Sequence, residues 1–229
     1  MNEQSYDNIW DEIYENGHIQ KAPWDSVVSF VYRYKPKGID AKEIKILEVG
    51  CGTASNLRFF AREGFAVYGI DASTKAIKTA SELIKKDGHS GTFLCGDFTQ
   101  LDFEENLFDM VIDRAAITCA GKEAQKQAID EIYRVLKVGG VFLHTPYADS
   151  HASMKTGSLH ESGLVKNITG GTLTGVGQIR FVNQTDIGQL LPKPRWEIIS
   201  LEYQTSEDLL QDKELRLHSS WKVISKKMQ

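Results

Sequence analysis

From residue 44 onward, short apolar runs alternate with longer segments of helical period, the pattern of βαβ units wound around a parallel sheet. Residues 44–49 predict the first strand, and Leu57, Phe59, Phe60 and Ala61 mark a helix that stops at Gly64. Residues 66–70 predict a second strand that delivers Asp71 at its end, with Ser73 as the N-cap of a helix through Ile77, Ala80 and Ile84. Further strands are predicted over 92–95, 108–112 and 141–145. Before the last of them, Ala128, Ile129, Ile132, Val135 and Leu136 predict a helix over 122–136 that Gly139 and Gly140 close as a C-cap. Beyond Ala148 the pattern gives way to a stretch rich in Ser, Thr, Gly and His, so residues 147–175 read as an elaborated loop or lid. A strand over 177–182, a helix over 185–191 and strands over 196–203 and 217–225 follow. In the leading segment, Ile9, Trp10, Ile13 and Tyr14 stand at helical spacing before Pro23 and Trp24, which predicts helices laid over the edge of an α/β core.

A length of 229 residues fits one domain with a core of its own, and 41% hydrophobic with 25% charged residues is ordinary globular composition. The net charge of −4 gives no positive field for phosphates, so neither a nucleic acid nor an anionic membrane is the expected partner. Cys51, Cys95 and Cys119 are widely spaced with no C-x-x-C pair, so no metal site or disulfide framework is expected. The chain opens without a signal-like segment and has no run of about 18 apolar residues, which leads us to expect a cytoplasmic protein.

Gly50 and Gly52 directly follow the first predicted strand, where a tight turn brings the backbone close to a ligand and the next helix aims its amides at the same place. Asp71, at the end of the second strand, is positioned to accept hydrogen bonds from both hydroxyls of a ribose. Any adenosine-containing cofactor satisfies this much. A nicotinamide-type fingerprint, however, calls for a third glycine where Ser55 stands.

The segment E-V-G-C-G-T-A at 48–54 resembles the E/D-x-G-x-G-x-G signature of class I S-adenosylmethionine-dependent methyltransferases, with Ala54 in place of the third glycine. Gly96-Asp97-Phe98 is similar to the third-strand motif of that family, and F-D-M-V-I-D-R at 108–114 to its fourth strand. The stretch 131–143 is similar to its helix, turn and fifth strand, with Val138 where many members have proline. Together the matches cover roughly residues 45–146. The resemblance implies a Rossmann-like three-layer α/β sandwich whose seven-stranded sheet is mostly parallel, with an antiparallel last strand and a helical N-terminal segment. In that scheme one domain spans 1–229, with a helical cover over 1–40, a cofactor-binding core over 44–146, a lid or insertion over 147–182 and a C-terminal helix and strands over 183–229. The cofactor implied is S-adenosyl-L-methionine, with S-adenosyl-L-homocysteine as product. Its implied contacts are Trp24, Glu48, Gly50, Cys51, Gly52, Asn56, Asp71, Ala72, Asp97, Phe98 and Arg114.

Methyl transfer from a sulfonium needs alignment and desolvation more than a catalytic group, and a general base helps only when the acceptor is a hydroxyl. His144 and His160 are the candidates for such a base, with His151 a third. His144 reads first as a hydrogen-bonded strand-end histidine, and the other two as solvated lid side chains. Arg114 suits either the cofactor or an anionic substrate, against the plainer reading of a surface ion pair. The sequence D-R-A-A at 113–116 lacks the D/N-P-P-Y/F motif of enzymes that methylate nucleobase or amide nitrogens. The reading is an enzyme that O- or N-methylates a small molecule. A methyltransferase acting on RNA or protein, which calls for a basic groove, and a non-catalytic cofactor-binding protein are the alternatives. The acceptor and the oligomeric state are not written in the sequence.

Overall fold

The computed structural model describes residues 5–229. Two helices come first, α1 (Ile9–Glu15) and α2 (Asp25–Tyr34). Helix α2 buries Val27, Phe30 and Val31, an i, i+3, i+4 stripe, whereas α1 buries no side chain completely. Five strands and three crossover helices follow: β1 (Lys45–Val49), α3 (Ser55–Arg62), β2 (Ala66–Asp71), α4 (Thr74–Lys86), β3 (Thr92–Cys95), β4 (Phe108–Asp113), α5 (Lys122–Val135) and β5 (Leu136–His144). Ser73 caps α4 by accepting from the Ala76 amide. A two-stranded ribbon, β6 (Ser158–Leu159) and β7 (Val165–Lys166), then leads to α6 (Gln184–Leu190), where Asn183 and Asp186 form a reciprocal capping box. The chain ends in the long hairpin β8 (Trp196–Glu207) and β9 (Leu217–Lys227).

The sheet order is β3-β2-β1-β4-β5-β9-β8, with β1 to β5 parallel and the β5/β9 and β9/β8 pairs antiparallel. This is the mostly parallel seven-stranded sheet with an antiparallel last strand expected from the sequence. Side chains alternate between its faces: Ile46, Ile112 and Leu143 pack under α2, α3 and α4, and Leu47, Val111 and Phe142 pack under α5 and α6. Strand order reverses between β1 and β4, so their carboxyl ends open a crevice, and the register sets Val49 beside Asp113 and Asp113 beside His144.

Two local expectations need correction. Residues 177–182 form no strand; they touch the rest of the backbone ladder only through the bridges Val165↔Ile179 and Ala148↔Val182. The edge of β5 is already paired with β9, so Ile179, Phe181 and Val182 are apolar because they pack, not because they join the sheet. The helix over 122–136 ends at Val135, and Gly139 and Gly140 lie within β5, near a register shift against β4, rather than capping the helix. Residues 147–182 carry a 3-10 turn (Ala152–Thr156) and the β6/β7 ribbon, and they pack Val165, Ile168 and Leu173 around Cys119 in a small core of their own.

Candidate active site

The loop after β1 is shaped by contacts that permit no side chain at two positions. Gly50 has φ +64°, and a Cβ there would lie 2.1 Å from the Ala116 Cβ. Gly52 has φ +53°, and its Cβ would lie 2.6 Å from the Tyr14 hydroxyl. Ala54, in the place of the family's third glycine, also takes a left-handed conformation, with φ 62° at the N-cap of α3. The loop is pinned from the next strand: the Cys51 amide donates to the Ile70 carbonyl at 3.0 Å. Asp71 accepts from the Gly52 and Ser73 amides, each at 2.9 Å.

Glu48 sits at the floor, 3% exposed. Its Oε1 accepts from Asn56 Nδ2 at 2.6 Å, while its Oε2 has no partner among the described residues. Burial raises the Glu48 carboxyl to about 8, against the pull of Asn56, with the nearby Asp113 adding to the rise. Asn56 in turn accepts from the Trp24 amide at 2.9 Å, which ties the start of α2 to the floor. After β3, Asp97 accepts from the amide and hydroxyl of Thr99 at 2.8 Å and also from the Ser5 hydroxyl. Every residue assigned to the cofactor from the sequence, from Trp24 to Arg114, lines one cavity of about 210 Å³. Tyr14 lines it as well, poised over Gly52. The sequence pattern had marked Tyr14 only as part of an apolar helix face.

A second cavity of about 200 Å³ shares Trp10, Trp24, Arg114, Ala115 and Cys119 with the first and is completed by Tyr147, Val176 and Ile179. The Arg114 guanidinium lies 3.9 Å from the Trp24 ring centroid. Nothing in the sequence pointed to Tyr147, Val176 and Ile179 as one wall, because they meet only through the packing of the insertion.

The three candidate histidines lie elsewhere. His144 is 1% exposed, with Nδ1 at 2.6 Å from Asp113 Oδ2, and it lines neither cavity. His160 is exposed at the turn between β6 and β7, where its amide donates to the Leu164 carbonyl. His151 is fully buried; its Nδ1 accepts from the Ser153 amide and its Nε2 lies 3.1 Å from His218 Nδ1, with Thr172 bridging the two rings. Burial and the neighbouring His218 push His151 down to about 4.

Residues 46–140 match a protein family described as a methyltransferase domain. The chain is 34% identical over 151 residues to a sterol 24-C-methyltransferase of Neurospora crassa, and 33% identical over 157 residues to that of Saccharomyces cerevisiae. Each match covers 60% of this chain, which spans only 39% of the length of either relative. Among solved structures it resembles a SAM-dependent methyltransferase of Methanosarcina mazei, with TM-score 0.67, 19% identity, and 87% of this chain and 97% of that one covered. It also resembles phosphoethanolamine N-methyltransferase 2 of Haemonchus contortus, solved with S-adenosylhomocysteine, with TM-score 0.66, 20% identity, and 96% and 57% covered. At those identities the structural likenesses speak for the fold alone. Motif, family match and sequence relatives agree that residues 46–140 resemble a methyltransferase domain, set on a sheet like that of solved S-adenosylmethionine-dependent methyltransferases.

Proposed function

We propose that this chain transfers the methyl group of S-adenosylmethionine to an oxygen or nitrogen of a small-molecule acceptor. The observation that carries the reading is the buried, unpartnered Oε2 of Glu48, a residue that lines one cavity together with Asp71 and Asp97. A buried carboxylate oxygen with no donor is a site for a cation, and it suits the α-ammonium group of the cofactor. Both Asp71 oxygens are held by backbone amides and keep lone pairs for ribose hydroxyls, while Asp97 and Phe98 suit an adenine amino group and ring. Bound S-adenosylmethionine supplies a methyl group already activated on a sulfonium. The chain's own task is then to hold, align and dry the reacting pair, with Trp24 and Tyr14 closing the cavity from the N-terminal side.

The second cavity, beside the first, is of a size for a compact acceptor. Its single cation and its aromatic walls support a small molecule over a nucleic-acid backbone, which calls for a basic groove. Among the described residues no helix is long and apolar enough to cross a membrane, and the three free cysteines are consistent with a cytoplasmic setting. Calorimetric titration with S-adenosylhomocysteine, followed by transfer of labelled methyl to a metabolite library, RNA and protein in parallel, tests the reading. Label recovered only in RNA or protein overturns the small-molecule acceptor, and absence of cofactor binding overturns the whole proposal.

A further inference from the structure

We propose that the second cavity takes a flat, apolar acceptor whose nucleophilic oxygen arrives already ionised, and that Arg114 holds that anion beside the cofactor. This rests on the methyltransferase reading above and narrows its acceptor.

Trp10, Trp24, Tyr147, Val176 and Ile179 present rings and branched aliphatic side chains, which suit a planar hydrophobic body. Arg114 stands at the boundary and lines both cavities, so an anion paired with it lies next to the cofactor space. One face of its guanidinium stacks on Trp24, and the Tyr147 phenol lies near enough to feel its charge. Stacking occupies the face and leaves edge donors for an acceptor atom.

The charge of Arg114 is not spent within the protein. Among the described residues no carboxylate forms an ion pair with it. Asp113, its chain neighbour, is engaged by the Ala116 and Ile117 amides and by His144. Burial holds Glu48 mainly protonated at neutral pH in the unliganded protein, and in the loaded one its charge is taken up by the cofactor ammonium. Behind Tyr147, His151 and His218 are both depressed by burial and stay neutral there, His218 further depressed by Arg114 itself.

Among the described residues the cavity also lacks a base. Its titratable lining groups are Arg114, Cys119 and Tyr147. Burial pushes the Cys119 thiol up to about 12 and raises the Tyr147 phenol, so both keep their protons at neutral pH. The carboxylates and His18 line the cofactor cavity instead. An acceptor that must be deprotonated in place therefore meets no group to receive its proton, whereas an ionised one needs none. In the transfer, the bond from methyl to the sulfonium sulfur breaks and its electron pair stays on sulfur, while a lone pair of the acceptor anion forms the new bond. One negative and one positive charge cancel, and no proton moves. An acidic phenol or enol meets these demands; an alcohol does not.

The test uses 4-nitrophenol, whose phenolate is coloured, added to the protein saturated with S-adenosylhomocysteine at a pH equal to the probe's own pKa. The expected result is a gain of phenolate absorbance on binding, a preference over the neutral phenol of roughly tenfold or more. With each variant saturated with S-adenosylhomocysteine, Arg114→Met should abolish the preference and Arg114→Lys should retain part of it. Should Arg114→Met fail to fold, the wild-type spectrum and Arg114→Lys decide. Binding of the neutral phenol, no binding of the probe, displacement by benzyl alcohol or aniline at equal concentration, or an unchanged spectrum in Arg114→Met each overturns the proposal. Failure of S-adenosylhomocysteine to bind overturns the methyltransferase reading instead.

Discussion

The two cavities that meet at Arg114 share Trp10, Trp24, Ala115 and Cys119 but are completed by different parts of the chain and by different means. The cofactor side is assembled from the carboxyl ends of β1, β2 and β3, where parallel register fixes Glu48, Asp71 and Asp97, backbone amides hold the two aspartates and the Asn56 side chain holds Glu48. The acceptor side draws Trp10 and Trp24 from the N-terminal segment and Tyr147, Val176 and Ile179 from the insertion, and its lining is aromatic and aliphatic around a single cation. The first region carries the acids and is set by main-chain geometry. The second is apolar and set by side-chain packing. A sheet edge can thus keep one ligand site constant while the segments laid across it define another.

Substitutions sharpen or break this contrast. Asp71→Ala removes the acceptor of two loop amides and the ribose ligand together; S-adenosylhomocysteine should bind roughly 100-fold more weakly by calorimetry, about 3 kcal/mol. A loss under about tenfold would show that the loop does not depend on this acid. Gly50→Ala forces a Cβ against Ala116, and its melting curve should show a loss of roughly 2 kcal/mol. Adding Ala116→Gly should restore part of it, and no restoration would mean that the φ of the glycine, not the contact, dominates. Tyr147→Phe, on the other side, should weaken 4-nitrophenolate binding about fivefold, about 1 kcal/mol, with cofactor affinity unchanged. A matching loss in cofactor affinity would erase the distinction between the two regions.

Glu48 supplies a pH-dependent test. Its folded pKa, about 8, lies above the ordinary 4.5, so the fold is favoured while the group stays protonated and loses that advantage as pH rises from about 4.5 toward 8. The melting temperature of the unliganded protein should therefore decline across that window, and Glu48→Gln should flatten the decline. Pairing with the cofactor ammonium lowers the same pKa, so binding near pH 7 should release a proton, detected by calorimetry in buffers of different ionisation enthalpy. A smaller effect is expected of His160→Ala, whose exposed ring should change stability by less than about 0.5 kcal/mol and leave turnover unchanged.

Much of the cofactor side was legible from the chain because strand ends and glycine turns leave short, regular signals. Gly50, Gly52, Asp71 and Asp97 each sit where periodicity ends a strand. The acceptor side left no such signal. Val176 and Ile179 share a wall with Trp24 only after about 150 residues of intervening chain have folded, and no local spacing encodes that. Residues 177–182 look like a strand because burial in a packed insertion selects the same β-branched and aromatic residues as a sheet does. The end of the helix at Val135 was misplaced for a related reason: the extended residues Leu136 to Val138 carry no breaker, so the first glycines invited the boundary.

The hydrogen bonds that run from the Trp24 amide through Asn56 to Glu48 also carry a kinetic consequence. When Glu48 ionises against a bound cation, its bond from Asn56 strengthens, and Asn56 is the anchor of the residue whose ring forms the partition between the two cavities. Loading the first site firms the wall of the second. Substrates should then enter in a compulsory order, donor first, and product inhibition by S-adenosylhomocysteine should be competitive toward the donor and noncompetitive toward the acceptor.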